Sequence, residues 1–483
     1  MSSAPSEPSK ETQASNPLYS WASETLESMS AIFCSSDASA TGGGYRYNDA
    51  EEQAEEADIA LIGESFLGTG KYLGGAKSRI DGCIYAIPGH AKRVLRIDPR
   101  TKEVSLAGPS FEGKYKWLRA AEGPDGALYG IPCHANRVLR ILPSADRDVP
   151  PEISLVGPEF PGEWLWHGGV TGSDGAVYCI PQSATRVLRI RFDPLRIDLV
   201  GPAWTGKWKW YGGLRSGDAV YGIPACARSV LKIDTSDPEE PVVTCIGELD
   251  EGGWKWHGGV VCDDGTVLGA PSNAHRVLRV KGDEVSTIGS DIKGGAHRDD
   301  DKYKFLGAVV GKDGCCYCIP SDADFVLKID PKTATVTNFG HSLAYLSKGQ
   351  SRGQNKWQGG ALLADGKIYC IPLKAEVVLR IDADRGIVET LSHPARGLNL
   401  WEGGVVGDDG ALYCMPLKCP QVLRIAPGLQ HLEPIGGGGD PTSSSSSSSS
   451  KSKQREEDGA GCSPFGTSLP SFHGSSNGVA AAK

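Results

Sequence analysis

An eightfold repeat is the feature that most restricts how this chain of 483 residues can fold. The typical copy has an aromatic residue, a Gly-Gly pair, an Asp-Gly turn, an apolar run ending in Ile-Pro, and then Val-Leu-Arg-Ile-Asp, and single copies depart from one or another of these. In the copy that begins at Trp401, the pair is Gly403-Gly404 and the apolar run ends at Pro416. Because such units hide their apolar faces only against their neighbours, the pattern predicts a ring or a solenoid.

Each repeat has room for four short β-strands. In one copy, apolar runs fall at 168–172, 176–180, 186–191 and 197–200, with turn residues between them. No repeat has the apolar spacing of three and four that predicts a helix, and four strands in a period of 43 to 52 residues are typical of one propeller blade. We therefore predict an all-β, closed β-propeller of four-stranded antiparallel blades, with eight blades or, as the alternative, seven. The repeated prolines are Pro88, Pro132, Pro181, Pro224, Pro271, Pro320, Pro372 and Pro416.

The two ends of the chain differ in composition from the repeats. Residues 1–56 are rich in Ser, Ala and Glu, and residues 437–483 include a serine run and a charged stretch. Such compositions predict disordered tails on either side of a propeller at 57–436. Segments 57–63 and 431–436 both resemble a fourth strand, so either one can complete the last blade and pair its open edge.

Charge and cysteine content restrict the partners and the compartment. The formal net charge of −9 argues against non-specific binding of nucleic acid or of an anionic membrane surface. We find no apolar stretch of about 20 residues and no secretory signal, so we expect a monomeric cytoplasmic protein with neither a nucleic-acid nor a membrane partner. The 14 cysteines are interpreted as packing residues. Four of them share a repeat position that holds Ala or Gly in the other copies, namely Cys179, Cys318, Cys370 and Cys414.

The blade pattern resembles known propellers. Gly-Val, Asp-Gly, apolar-Tyr and Arg-Val-Leu-Arg-Ile-Asp are similar to the blades of the NHL, strictosidine-synthase and gluconolactonase-like propellers, over about residues 57–436. The version with Ile-Pro and Asn273-Ala274 is most similar to uncharacterised propellers of algae and other protists. These relatives include scaffolds, RNA binders and metal-dependent hydrolases, so the resemblance implies the fold and leaves the function to individual sites.

The loops before the first strands are aromatic and basic, as in Trp208-Lys209-Trp210. Adjacent blades present such loops side by side, and aromatic faces with ammonium groups suit anionic, sugar or peptide ligands. A second position on the same face, two residues after each repeated proline, changes from copy to copy. We predict that this face captures a protein segment or a small anionic ligand. The predicted binding residues are Trp164, Trp208, Lys209, Trp254 and Lys255 from the loops, and His90, His134, Asn273 and Asp322 from the variable positions.

Two repeated features are expected to be structural. One aromatic residue starts the first strand of every copy and is predicted to wedge between blades, since a residue needed once for binding need not recur eight times. The basic residue of Val-Leu-Arg-Ile is expected to be solvated or paired with a neighbouring blade. The wedge aromatics are Tyr72, Trp117, Trp166, Trp210, Trp256, Phe305, Trp357 and Trp401.

A catalytic alternative uses the position one residue after each wedge aromatic. His167 and His257, which are separated by one blade, are candidates to bind a divalent metal together with Glu402. The alternative function is therefore a metal-dependent hydrolase or lyase with its site in the propeller channel. The chain has no Gly-x-Ser-x-Gly, His-Glu-x-x-His or phosphate-binding Gly-Lys-Ser/Thr motif. Whether it is an enzyme stays open, and no cofactor is predicted outside this alternative.

Overall fold

Eight four-stranded antiparallel sheets make up this protein in a computed structural model that describes residues 57–295, 300–348 and 354–428. They are the blades of a β-propeller, so the predicted fold class is confirmed and the seven-bladed alternative is wrong. Within these residues the helical segment is a 3-10 helix, Ala344–Lys348, and no helix is long and apolar enough to span a bilayer. The predicted tails and the candidate strand at 431–436 lie outside the described residues.

Every blade has four strands, numbered here along the chain, and blade 8 takes its fourth strand from the start of the chain. The innermost strands are β2 (Tyr72–Lys77), β6 (Trp117–Glu122), β10 (Trp166–Thr171), β14 (Trp210–Ser216), β18 (Trp256–Val261), β22 (Phe305–Val310), β26 (Trp357–Leu362) and β30 (Trp401–Val406). The second strands are β3 (Ile84–Pro88), β7 (Leu128–Pro132), β11 (Val177–Pro181), β15 (Ala219–Pro224), β19 (Val267–Pro271), β23 (Cys316–Pro320), β27 (Ile368–Pro372) and β31 (Leu412–Pro416). The third strands are β4 (Val94–Asp98), β8 (Val138–Leu142), β12 (Val187–Arg191), β16 (Val230–Asp234), β20 (Val277–Lys281), β24 (Val326–Asp330), β28 (Val377–Asp382) and β32 (Val422–Ala426). The outer strands are β5 (Glu103–Ala107), β9 (Glu152–Val156), β13 (Arg196–Val200), β17 (Val242–Ile246), β21 (Glu284–Ile288), β25 (Thr335–Phe339), β29 (Ile387–Ser392) and β1 (Asp58–Ile62).

The N-terminal strand closes the ring. β1 pairs antiparallel with β32, with Leu61 opposite Leu423, and Arg424 Nη1 donates to Asp58 Oδ2 at 3.0 Å. Ile59 and Leu61 pack against the apolar core of blade 8. The innermost strands of neighbouring blades contact each other all the way round, including β30 with β2. Of the two terminal segments that resemble a fourth strand, the N-terminal one completes the last blade.

The wedge aromatics fill the space between blades, as expected from their recurrence. Trp166 packs against Tyr129 and Ile131 of the preceding blade. The indole N–H of the tryptophans at this position is hydrogen-bonded within its own blade. Trp117 Nε1 donates to the carbonyl of Arg137 at 2.8 Å, and five other blades repeat this bond. A buried indole N–H needs such a partner, so this position serves packing.

The basic residue of the third strand has three kinds of partner. Arg189 Nη2 donates to Asp198 Oδ2 on the outer strand of its own blade at 3.0 Å. Arg424 Nη2 donates to Asp409 Oδ2 of its own blade at 2.9 Å, and Tyr413 Oη donates to the same carboxylate oxygen. Lys232, in contrast, pairs with Asp283 of the next blade at 2.7 Å. The expected pairing between blades therefore occurs in some repeats, while others bind an aspartate of their own blade.

A β-bulge recurs in the innermost strand of every blade, at the two residues after the wedge aromatic. In blade 3 the pairing moves from Trp166–Pro181 to Gly169–Cys179, which leaves one extra residue on β10. Gly168 has a φ of +79°, and a Cβ on it would lie 3.4 Å from the Cα of the corresponding glycine in blade 4. The Gly-Gly pair thus lets neighbouring backbones approach closely around the axis.

Candidate functional site

A left-handed backbone turn precedes the innermost strand of every blade, at the residue two positions before the wedge aromatic. Blades 1, 7 and 8 use glycine or asparagine there, which tolerate this conformation. Blades 2 to 6 use tyrosine or tryptophan, for which positive φ costs about 1–2 kcal/mol. The eight residues and their φ values are Gly70 (60°), Tyr115 (48°), Trp164 (54°), Trp208 (58°), Trp254 (55°), Tyr303 (53°), Asn355 (48°) and Asn399 (57°). The five aromatic side chains of blades 2 to 6 are thus present although their left-handed backbone conformation is energetically unfavourable.

These rings form a continuous row over adjacent blades. The ring centroids of Tyr115 and Trp164 lie 4.9 Å apart, those of Trp164 and Trp208 5.3 Å, and those of Trp208 and Trp254 5.7 Å. Two variable-position histidines pack edge-on against the row, at 4.3 Å from Tyr115 and 4.4 Å from Trp164. We call the set the aromatic arc; its members are His90, Tyr115, His134, Trp164, Trp208 and Trp254.

The two histidines of the arc are neutral and incompletely bonded. Burial lowers the pKa of His90 to about 4 and also lowers the pKa of His134. The Nε2 atom of each is buried and has no hydrogen-bond partner within the residues that the structure describes. A buried polar atom of this kind is a place where a ligand can supply the missing partner.

The other variable positions lie on the same face, next to the left-handed turns. The backbone N–H of each donates to the left-handed residue of its own blade, for example His134 to Tyr115 at 3.0 Å. The side chains of Asn273 and Asp322 reach the next blade, where they accept from the backbone N–H of Tyr303 at 2.9 Å and of Asn355 at 2.6 Å. The structure therefore brings the predicted loop and variable residues together, but it engages Asn273 and Asp322 in shaping the loops.

The predicted binding lysines have a different environment from the arc. Lys209 is 6% exposed, and its Nζ donates to the carbonyls of Gln182, Ala184 and Gly206 at 3.4, 2.9 and 2.9 Å. Lys255 Nζ donates to the carbonyls of Ala227 and Asp250 at 2.7 and 2.9 Å. These bonds join adjacent blades and occupy the ammonium protons that a ligand would need. The sequence pattern alone does not show whether a lysine such as Lys209 or Lys255 is solvated or enclosed by carbonyls.

Replacing Lys209 with leucine should destabilise the propeller by about 1–3 kcal/mol, because buried carbonyls lose their donor. Leucine fits the site sterically, since Leu165 and Leu400 occupy the same repeat position in blades 3 and 8. Chemical denaturation of Lys209→Leu measures the change, and Lys207→Ala, an exposed neighbour, is the matched control. Equal stability of the two variants would mean that the carbonyl contacts carry little energy.

The channel is filled at one level by the side chains that follow the wedge aromatics. All eight are buried. The rings of His167 and Tyr211 stack with centroids 3.6 Å apart, and Tyr211 lies 4.4 Å from His257. On the opposite side, Gln358 Nε2 donates to Glu402 Oε1 at 3.1 Å. We call this set the axial ring; it consists of Leu73, Leu118, His167, Tyr211, His257, Leu306, Gln358 and Glu402.

The three candidate metal ligands belong to the axial ring but have separate surroundings. Tyr211 lies between the two histidines, and Glu402 is bonded to Gln358. In the described ranges, no three His, Cys, Asp or Glu side chains are grouped so as to hold a metal ion. Burial raises the pKa of Glu402 to about 7, whereas burial and the nearby charge of Arg119 lower the pKa of His257 to about 3.

Arg119 is a channel residue that the sequence analysis did not single out. Blade 2 reads Leu118-Arg119-Ala120 where the repeat has Gly-Gly, and Arg119 is the one departure from glycine at the first position of the pair in eight copies. Its Nη1 lies 2.5 Å from where a Cβ on Gly74 would stand, and 3.1 Å from a Cβ on Gly403. The side chain therefore crosses two blades over bare glycine backbone. The break in the repeat at Arg119 is the sequence signal that could have found it.

A cavity of about 330 Å³ lies in the channel, which is at the small end of ligand pockets. Its wall consists of the bulge glycines, Arg119, and axial-ring residues including His167, His257 and Gln358. No member of the aromatic arc contributes to this wall. The molecule thus presents two separate candidate sites, the arc and the channel cavity.

These features define an eight-bladed β-propeller with polar side chains enclosed in its channel. The sequence matches no known protein family and none of the curated proteins with which it was compared. Among solved structures, the computationally designed Ika8 protein is similar with a TM-score of 0.51 and 8% identity, over 76% of this chain and 99% of that one. Virginiamycin B lyase from Staphylococcus aureus gives 0.48 and 12% over 77% and 99%, and an auxiliary nutrient binding protein from Bacteroides thetaiotaomicron gives 0.40 and 12% over 77% of each chain. At these identities the likeness shows the propeller fold alone.

Proposed function

We propose that this protein is a binding propeller that captures a small anionic ligand with a flat face at the aromatic arc. The observation that carries the proposal is the use of tyrosine and tryptophan at left-handed positions where Gly70, Asn355 and Asn399 show the unstrained solution. Strained residues that persist are a feature of functional sites. The rings lie in consecutive blades, and the partly buried ones, Tyr115, Trp164 and Trp208, together offer one apolar surface to a ligand.

Charge on the same face supports an anionic ligand. The variable positions of blades 7 and 8 are Lys374 and Lys418, and burial lowers the pKa of each lysine. A groove of about 890 Å³ runs beside Tyr115 and His134 and is lined by Lys114 together with Glu112 and Glu163. A ligand with a flat face and a carboxylate would combine stacking on the arc with a charge-assisted contact.

A small ligand fits this face better than a protein segment. The arc rings are largely covered by one another and by the axial ring beneath them, whereas a stable protein interface buries on the order of 1,000 Å² or more. The unbonded Nε2 atoms of His90 and His134 are buried. A compact ligand group can reach such atoms more easily than a second protein surface can.

Benzoate is a suitable probe, because it joins a flat ring to a carboxylate. Titration calorimetry and ligand-observed NMR should show saturable binding that is tighter than for benzyl alcohol, which lacks the charge. Trp208→Asn should weaken it at least about fivefold through the loss of one ring face. Asparagine already occupies the same left-handed position in blades 7 and 8, so the turn should survive this change.

Tyr345→Ser is the control, because it removes a half-exposed ring that contacts His341 instead of the arc. Benzoate affinity should be unchanged in this variant. Binding that persists at full strength in Trp208→Asn, or no binding by the unaltered protein, would contradict capture at the arc.

A further inference from the structure

We propose that the channel cavity is a second binding site, for a small carboxylate anion, with the guanidinium of Arg119 as its charge partner and His167 and His257 as N–H donors. This goes beyond the proposed function, because no arc residue lines the cavity. It also assigns a role to the one repeat position where glycine is replaced.

The guanidinium of Arg119 is placed to meet an anion in the cavity. Arg119 Nη1 is buried and has no hydrogen-bond partner within the described residues. Its route depends on Gly74 and Gly403, where any Cβ would crowd the guanidinium. Buried donors are normally satisfied, and a guanidinium fork matches the two oxygens of a carboxylate. An oxyanion in the cavity would supply the missing acceptor.

Two histidines can complete the site. His167 and His257 are 4% and 7% exposed, both line the cavity, and neither ring nitrogen of either residue has a partner in the described part of the chain. Burial, with a smaller effect from the charge of Arg119, lowers the pKa of both imidazoles, so both are neutral at pH 7. A neutral imidazole carries one N–H that can donate to an anion.

The charge of Arg119 decides between an anion and a cation. Burial is the largest effect on the pKa of His167, His257 and Glu402, and the charge of Arg119 acts on all three groups by lowering the pKa, against the effect of burial at Glu402. A divalent metal entering among these side chains would meet a fixed positive charge, whereas a carboxylate would be attracted to it. The same three residues that suggest a metal site in the sequence are therefore better suited to an anion once Arg119 is included.

Acetate is the probe, with chloride at equal ionic strength as the reference. Calorimetry at pH 6.5 should show saturable acetate binding, and the imidazole NMR signals that disappear in His167→Asn should move on addition of acetate to the unaltered protein. Arg119→Gly should weaken acetate binding at least about tenfold, as expected for loss of a charge-assisted contact. This variant restores the glycine that the other seven copies carry, so the ring should be retained.

Two further variants keep the result decisive. Arg385→Ala removes an exposed arginine of the β28–β29 turn and should leave acetate affinity unchanged. Arg119→Lys keeps the charge without the fork and should bind acetate with intermediate affinity, which provides a second test if Arg119→Gly does not fold. Acetate that acts no differently from chloride, or that binds Arg119→Gly and the unaltered protein equally, would overturn the proposal. Trp208→Asn should retain acetate binding, so the test of the channel site is independent of the test of the aromatic arc.

Discussion

Removal of residues 1–62 should open the ring and lower the free energy of unfolding by about 3–5 kcal/mol. The deletion takes away β1, which pairs along its whole length with β32. It also removes Ile59 and Leu61, which are partly buried against the apolar core of blade 8 and contribute at most roughly 1.5–3 kcal/mol each. The carboxylate of Asp58, which pairs with Arg424, is lost as well. Denaturant unfolding of the purified protein measures the change.

Deletion of residues 1–56 is the matched control, since it stops just short of β1 and should leave the unfolding curve in place. A synthetic peptide of residues 57–63, added to the longer deletion, should recover part of the lost stability by pairing with the exposed edge of β32. If both deletions are equally stable, the C-terminal segment 431–436 has taken over as the fourth strand, and closure by β1 would not be essential.

Glu402→Gln should make the protein more stable by about 3 kcal/mol at pH 8 and change little near pH 4.5. Burial raises the pKa of this carboxyl from 4.5 to about 7, against smaller opposing effects of Arg119 and Gln358. The folded state therefore holds a proton between pH 4.5 and 7 that the unfolded state releases, so this group makes stability fall as the pH rises through that range. A shift of this size corresponds to roughly 3 kcal/mol once both states are titrated. Glutamine keeps the size and an acceptor for Gln358 but has no charge.

Urea unfolding at several pH values between 4.5 and 8 measures this effect as the difference between the variant and the unaltered protein. Glu240→Gln, at an exposed position, serves as the control and should give a difference near zero throughout. A difference for Glu402→Gln that does not grow with pH would show that the carboxyl titrates near its ordinary value.

The repeat sequence was sufficient to predict the blades because each local signal agreed with the others. Gly-Gly, Asp-Gly and Ile-Pro mark turns and strand ends, and their fixed spacing gives four strands per unit and eight units. The wedge aromatics were identified from recurrence alone, and the structure buries them between blades. The sequence left the choice between two closing strands open, because 57–63 and 431–436 have similar patterns and only three-dimensional pairing distinguishes them.

The site was harder to predict because it depends on departures from the repeat and on burial. The bulge that turns His167 and Glu402 toward the axis has no sequence mark apart from a glycine pair that also suits a turn. Lys209 appeared available for a ligand, but its ammonium group is enclosed by carbonyls from two blades. Arg119 replaces a glycine of the repeat, and only the structure shows the open glycine surface beneath its side chain.

The path of Arg119 over Gly74 and Gly403 also limits how these repeats can diverge. Gly74 does not have the left-handed φ that would by itself demand glycine, yet a Cβ there would collide with the guanidinium. An alanine at this position would thus displace the guanidinium of a side chain that starts in another repeat. Substitutions in blades 1, 2 and 8 are therefore coupled, because Arg119 keeps its path only while positions 74 and 403 are glycine.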